Sequence, residues 1–453
     1  MSVPNCSNMS PIESTSLPPW SLASLLLLLV LVSPYPVHGQ RDSAATEAEQ
    51  EAAATSILRG DAHRADELWH LNPMDGALHG REHIDSFLGA WRRLLFDWSS
   101  QGMEEKAEKQ PLQILHFGGS HVQAGRIGWS FRNRMAQDRP GLVIGRGIHA
   151  PHRLTGSNGP PERGWRSEED FNSQSCANRR HRGSWGITGV EASCAGAATI
   201  ACWTGSPAGE NCCSSIRVLA PPDSIFQWHP DSTGWQGNSS RMASTGISRW
   251  WREPGLDVPD TVVLRSSDSS FSALHGVEWI ADGADLVFHD LGANGANSTS
   301  WMRNPHFMVQ LREVAPDLVV LAWGINDAHM SPSRFNADRF KGHYRSLIDS
   351  IQHAVPEAGI LLVTNNDSHY RRRHNPNAES VRTAMLELTE EEDLACWDLY
   401  GHLGGAGSIE YLGESGYAAS DRLHMRKDGY VLMGELLYEL LVRASISPKS
   451  GMP

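Results

Sequence analysis

Basic residues are in short supply. Lys and Arg number 39 against 52 Asp and Glu, a formal net charge of -13 at pH 7. A nucleic-acid binder needs the opposite balance, so that class is excluded. Long hydrophobic runs are almost absent as well. Leu25 to Val32 is one, and it is too short to span a bilayer comfortably. No other segment is apolar enough, so no membrane span is expected in the mature chain. Paired Cys-x-x-Cys spacings are missing too, which argues against a structural zinc site, and no metal is expected. No internal repeat of fixed period appears.

What is present begins with length. At 453 residues the chain suggests two domains, or one domain with a large insert. Val37-His38-Gly39 follows the apolar run with the small residues a signal peptidase accepts. Residues 1–39 therefore read as a signal peptide, and the protein as periplasmic or secreted. The stretch before the run has no Lys or Arg, which leaves an uncleaved membrane anchor as the alternative. Of the seven Cys, Cys6 would leave with the signal. Cys176, Cys194, Cys202, Cys212 and Cys213 cluster and, in an exported chain, read as a local disulfide staple. Cys396 sits alone in an apolar run and reads as a buried thiol.

Residues 40–110 read as a linker followed by a helical segment. In it Ile84, Phe87, Leu88, Trp91, Leu94 and Leu95 recur every three to four residues, the pattern of a helix with one packed face. From residue 112 short apolar runs alternate with helical ones. Strands are expected at 112–117, 285–290, 317–323, 359–364 and 394–399. Helices are expected at 121–137, 300–314, 334–354, 377–392 and 427–442. Near-continuous apolar strands between helices indicate an α/β fold, a parallel sheet covered on both faces. Residues 151–275 break this rhythm. They are rich in Gly, Ser, Pro and Trp and carry short alternating runs such as 215–219 and 261–264, so a β-rich insert is expected. Its tryptophans (Trp165, Trp185, Trp203, Trp228, Trp235, Trp250, Trp251) could stack sugars or fill a core. The α/β part is then split, 111–150 and 276–446, with a tail at 447–453.

Four short segments carry the chemistry. Ser120, after Gly118-Gly119, ends a strand and opens a helix, where free N–H groups favour an anion. A serine hydroxyl needs a base to act as a nucleophile. Asp421 and His424 are spaced to lie on one side of a turn. His424 can then take the serine proton, with Asp421 orienting its ring. The backbone N–H groups of Ser120 and Gly295 and the side-chain amide of Asn326 can donate to an oxyanion. Alone, each segment is ordinary cap or turn chemistry. Together, Ser120, Gly295 and Asn326 follow three successive strands, at the sheet edge where open parallel sheets bind ligands, and the Asp-x-x-His pair precedes the last helix.

Here the chain resembles the SGNH (GDSL-type) hydrolases, over residues 111–150 and 285–445. His116 to Gly125 looks like that family's first block, Leu291 to Ala296 its second, Trp323 to Asp327 its third and Asp421 to His424 its last. The resemblance implies a flavodoxin-like doubly wound sheet with Ser120, His424 and Asp421 catalytic. It gives Ser120, Gly295 and Asn326 the oxyanion hole and requires no cofactor. The wording is most similar to the peptidoglycan O-acetylesterase-like branch, in which a β-sandwich-like, carbohydrate-binding module interrupts the catalytic domain. The function implied is an exported serine esterase that removes O-acetyl groups from a carbohydrate. Its partner would be an acylated polysaccharide, with peptidoglycan a candidate. The alternatives are an O-acetyltransferase using the same site and a non-catalytic glycan-binding protein. The latter reading arises because Gly119 stands where the family usually has Asp. His121 and His329 flank the proposed site without an assigned role. The basic run Arg371-Arg372-Arg373 reads as a solvated loop, or as a contact for an anionic glycan.

Overall fold

The computed structural model describes residue 74 and residues 76–96, 110–204, 213–222, 224–229, 240–241, 245–251, 261–266, 271–281 and 283–446. The expected signal, the linker at 40–60, Cys6, Cys212, Trp235 and the tail lie outside these, as do the side chains of Trp228, Trp250 and Trp251.

The fold is α/β, with a seven-stranded sheet at its centre. Its strands are β1 (Leu78–His79), β2 (Leu112–Gly118), β3 (Ile144–Gly145), β4 (Leu286–Gly292), β5 (Leu318–Ala322), β6 (Gly359–Val363) and β7 (Ala395–Trp397), in the order β1-β7-β6-β5-β2-β4-β3. All neighbours are parallel except the edge pair β1 and β7. The five strands read from sequence take the flavodoxin-like order, with β4 and β5 on either side of β2. β1 and β3 have two residues each, too short to leave a periodic signal.

Strand side chains alternate between two cores. Ile114, Leu286, Phe288, Leu318, Val320, Leu361 and Ala395 face one core. There they meet α1 (Asp85–Phe96), α3 (Arg126–Asp138) and α8 (Lys427–Ile446). Leu115, Phe117, Val319, Leu321, Ile360, Leu362 and Cys396 face the other, with α4 (Phe307–Val314), α6 (Ala337–Ala354) and α7 (Asn377–Glu391). Both faces are thus covered, which is why these strands read as unbroken apolar runs.

Two helices differ from the expected spans. The segment 121–137 divides into α2 (Ser120–Gln123) and α3, broken at Gly125, which is left-handed at φ 67° and lies against Pro160. The segment 300–314 divides at Asn304, whose extended backbone precedes Pro305, leaving the turn Trp301–Arg303 ahead of α4.

The insert is β-rich: antiparallel strands in three small sheets. Strand Gly276–Ala281, read as part of the second hydrolase stretch, pairs with Cys213–Leu219 and belongs to one of these sheets. The insert has a core of its own around Ile200, Ile216, Val262 and Leu264. It also shares the second hydrolase core: Trp185, Ile187, Leu219 and Ile247 are buried with Trp301 and Phe307. Trp165 and Trp185 are core residues, whereas Trp203 is 39% exposed.

The disulfide staple is not what Cys176, Cys194 and Cys202 form. All three are buried free thiols on separate elements. They pack as small apolar side chains, and burial pushes the Cys176 thiol up to about 12. Cys396 is buried and free, as its apolar run suggested.

Candidate active site

Ser120 is the first residue of α2, directly beyond the carboxyl end of β2. As a first-turn residue its N–H has no intrahelical acceptor. Its hydroxyl lies 3.0 Å from His424 Nε2. His424 Nδ1 lies 2.8 Å from Asp421 Oδ2. The chain from 421 to 424 is a compact turn. Arg422 adopts a left-handed φ of 53°, rare for a residue with a side chain. That conformation lets Asp421 Oδ1 accept the backbone N–H groups of Leu423 and His424, both at 3.0 Å. The Arg422 guanidinium in turn donates to Glu410 at 2.8 Å. Partial burial would raise the Asp421 pKa, but the hydrogen bonds from the His424 ring and from the two backbone N–H groups hold its carboxyl below the usual range. Asp421 is therefore a carboxylate at neutral pH, as an orienter of an imidazole must be.

His121 and His329 both border this group. His121 is buried, 5.5 Å ring to ring from His424, and its Nε2 lies 3.1 Å from Asn366 Oδ1. Burial and the neighbouring His424 push it down to about 4, so it stays neutral. His329 is likewise lowered, by burial and then by His424, and its ring meets Tyr370 edge-on.

The two other expected donors lie on the turns that follow β4 and β5, the strands on either side of β2. Gly295 is exposed at φ 78°, and its N–H has no acceptor among the described residues. Asn326 Nδ2 donates to Ala296 O at 2.8 Å, which commits one of its two amide hydrogens. A Cβ at position 119 would lie 2.7 Å from Asn326 Nδ2. Gly119 is therefore the residue that lets Asn326 sit close to the serine turn. Of the five residues singled out in the sequence, Ser120, His424 and Asp421 are joined in one hydrogen-bonded series.

It also shows supporting groups without a sequence signal of their own. Gln123 accepts the Asn294 N–H at 2.6 Å and donates to Ser157 Oγ and Asn158 O, tying the Gly292–Gly295 turn to the insert. Gly292 allows this contact, because a Cβ there would meet the Gln123 backbone at 2.1 Å. Arg303 donates to the carbonyls of Cys176, Asn178 and His181. It thereby holds the insert loop 176–181 beside the turn. Asp327 is buried and accepts Ser298 Oγ at 2.7 Å and Ser298 N at 3.1 Å. Burial raises its pKa to about 6 despite those bonds. Two clefts share the 294–299 turn as part of their walls. One, of about 290 Å³, is lined by Gln123, Ser157, Asn178, His181, Asn294 and Gly295. The other, of about 430 Å³, has Asn297, Thr299 and Asp327 in its wall. No group of His, Cys, Asp and Glu suited to a metal ion occurs among the described residues.

A parallel sheet that presents a serine, a histidine and an aspartate in series, with donors on two adjacent turns, defines an SGNH-type hydrolase. Residues 265–432 match the model of the GDSL-like Lipase/Acylhydrolase family. Among solved structures, a peptidoglycan O-acetylesterase is similar at 18% identity and a TM-score of 0.61, covering 75% of this chain and 95% of its own. A family two carbohydrate esterase from Clostridium thermocellum is 11% identical with a TM-score of 0.29, over 61% of this chain and 96% of its own. The acetylxylan esterase Axe2 from Geobacillus stearothermophilus, as a catalytic mutant, is 17% identical with a TM-score of 0.28, over 34% and 73%. No curated protein matches the chain.

Proposed function

We propose that the protein is an exported serine esterase that removes O-acetyl groups from a carbohydrate, with peptidoglycan a candidate substrate. The observation that carries this reading is the unbroken series Ser120 Oγ, His424 Nε2 and Nδ1, Asp421 Oδ2, at 3.0 and 2.8 Å. Ser120 Oγ attacks the ester carbonyl as His424 Nε2 takes its proton. The carbonyl oxygen becomes an oxyanion facing the N–H groups of Ser120 and Gly295 and the free amide hydrogen of Asn326. Each such donor is worth roughly 2.7–4 kcal/mol in the transition state. Collapse expels the sugar hydroxyl, which leaves with the proton from His424. Water then attacks the acetyl-enzyme with His424 again as base, and acetate departs. The side chains of His424 and Asp421 are 40% and 51% exposed, so water reaches the acyl-enzyme readily. That openness favours hydrolysis over transfer to a second sugar. Export rests on the apolar run at 25–32 and the small residues that follow it.

The test is hydrolysis of p-nitrophenyl acetate by residues 40–453, beside Ser120→Ala and His424→Ala. Each variant is expected to lose at least about 10³-fold in kcat while retaining its fold by circular dichroism. Parental rates in Ser120→Ala would end the assignment.

A further inference from the structure

The second cleft differs from the first in charge. Its wall carries Arg179 from the insert, Arg334 from the turn after α5 (Ile325–Ala328), and Arg339 and His343 from α6. In a chain of net charge -13, several arginines away from this cleft find an acid. Arg132 meets Glu162 and Asp290, Arg217 meets Glu278, and Arg382 meets Asp398. No carboxylate among the described residues pairs with Arg179, Arg334 or Arg339. Two of these guanidiniums converge, since burial and then the charges of Arg339 and Arg179 all lower the His343 pKa. The one carboxyl in the wall, Asp327, is spent on Ser298. The 290 Å³ cleft, by contrast, is lined by amide, hydroxyl and imidazole groups and has no arginine in its wall.

We propose that the cleft bounded by Arg179, Arg334 and Arg339 binds a carboxylate of the glycan whose ester is presented to Ser120. The substrate class is therefore an acetylated acidic polysaccharide. This rests on the esterase reading and narrows it. Guanidinium groups suit the purpose because their fork of N–H donors matches a carboxylate bidentately. Placement suits it too: Asn297 and Asp327 in the cleft wall adjoin Ala296 and Asn326 in sequence, so the carboxylate would lie one step along the chain from the reacting ester. The other basic run, Arg371 to Arg373, is less apt. It lies on an exposed hairpin, Arg371 and Arg372 at the tip between His369–Tyr370 and Arg373–His374.

The test is binding of trigalacturonate and of xylotriose to the Ser120→Ala protein, by calorimetry at 50 and 300 mM salt. Trigalacturonate is expected to bind at least tenfold more tightly, and more weakly at high salt. Arg179→Gln/Arg339→Gln in the same background is expected to lose that preference while keeping the parental melting temperature. Equal affinity for the two probes, no affinity for trigalacturonate, or a preference untouched in the double variant would each overturn the proposal. Hydrolysis of p-nitrophenyl acetate by the parent separates the two readings. A parent that binds trigalacturonate selectively yet has no esterase activity keeps the arginine-lined cleft and loses the enzyme.

Discussion

Asp327 carries a pH dependence that can be isolated. Its carboxyl is raised from 3.8 to about 6, chiefly by burial. The unfolded chain gives up this proton at lower pH than the folded one does. Between pH 4 and 6 the native state therefore binds more protons, and stability falls as pH rises. The loss is absent below pH about 4 and complete above about 6, with an upper bound of about 3 kcal/mol. Asp327→Asn keeps the shape of the neutral acid. Relative to the parent, the variant is expected to be near-equal in urea midpoint at pH 4 and more stable at pH 7. A constant difference across that range would show that Asp327 titrates normally. This residue was visible in the sequence only as the last letter of a turn. Ser120, Gly295, Asn326, Asp421 and His424 were legible because a hydroxyl, a glycine turn, an amide and an Asp-x-x-His pair each imply a chemistry. Gln123, Arg303 and Asp327 act on neighbours far away in sequence, and nothing local announces that.

At the scale of elements, the strands were legible because burial on both faces makes them uniformly apolar, with ends within a residue or two. The two broken helices were missed where Gly125 and Asn304-Pro305 override helical periodicity. The loop 176–181 was missed for a different reason: it has no regular pattern and takes its place from Arg303. Three backbone carbonyls depend on that one guanidinium. Each left without a donor costs roughly 1–3 kcal/mol where it stays buried. Arg303→Ala is accordingly expected to speed hydrogen exchange across residues 176–182 by about tenfold or more, and to lower Tm by a few degrees. Unchanged exchange in that loop would mean that its own turns hold it.

At the scale of the whole molecule, the insert is a structural part of the hydrolase. Sequence composition marked its presence but not its attachment, because Trp185, Ile187, Leu219 and Ile247 look the same whether they pack on their own strands or on a neighbour. They are in fact buried with Trp301 and Phe307. Full burial of one such side chain is worth about 1.5–3 kcal/mol. Four together amount to on the order of 10 kcal/mol, comparable with the total stability of a typical domain. Replacing residues 151–281 by a short Gly-Ser linker is thus expected to give insoluble protein or one without a cooperative melt. A soluble, cooperatively melting product would show that the hydrolase core closes by itself.

Asp421 and His424 stand on an outward turn with about half of their side-chain surface open, and nothing lies within 4 Å of where a Cβ would be at Gly295. Such a place is a ledge rather than a tunnel. A tunnel must be threaded from a chain end, so its work proceeds from the terminus inward. A ledge can receive the middle of a long polymer laid across it. For the glycan proposed above, acetyl groups would be removed at interior positions from the first turnover, and the polymer would keep its length throughout.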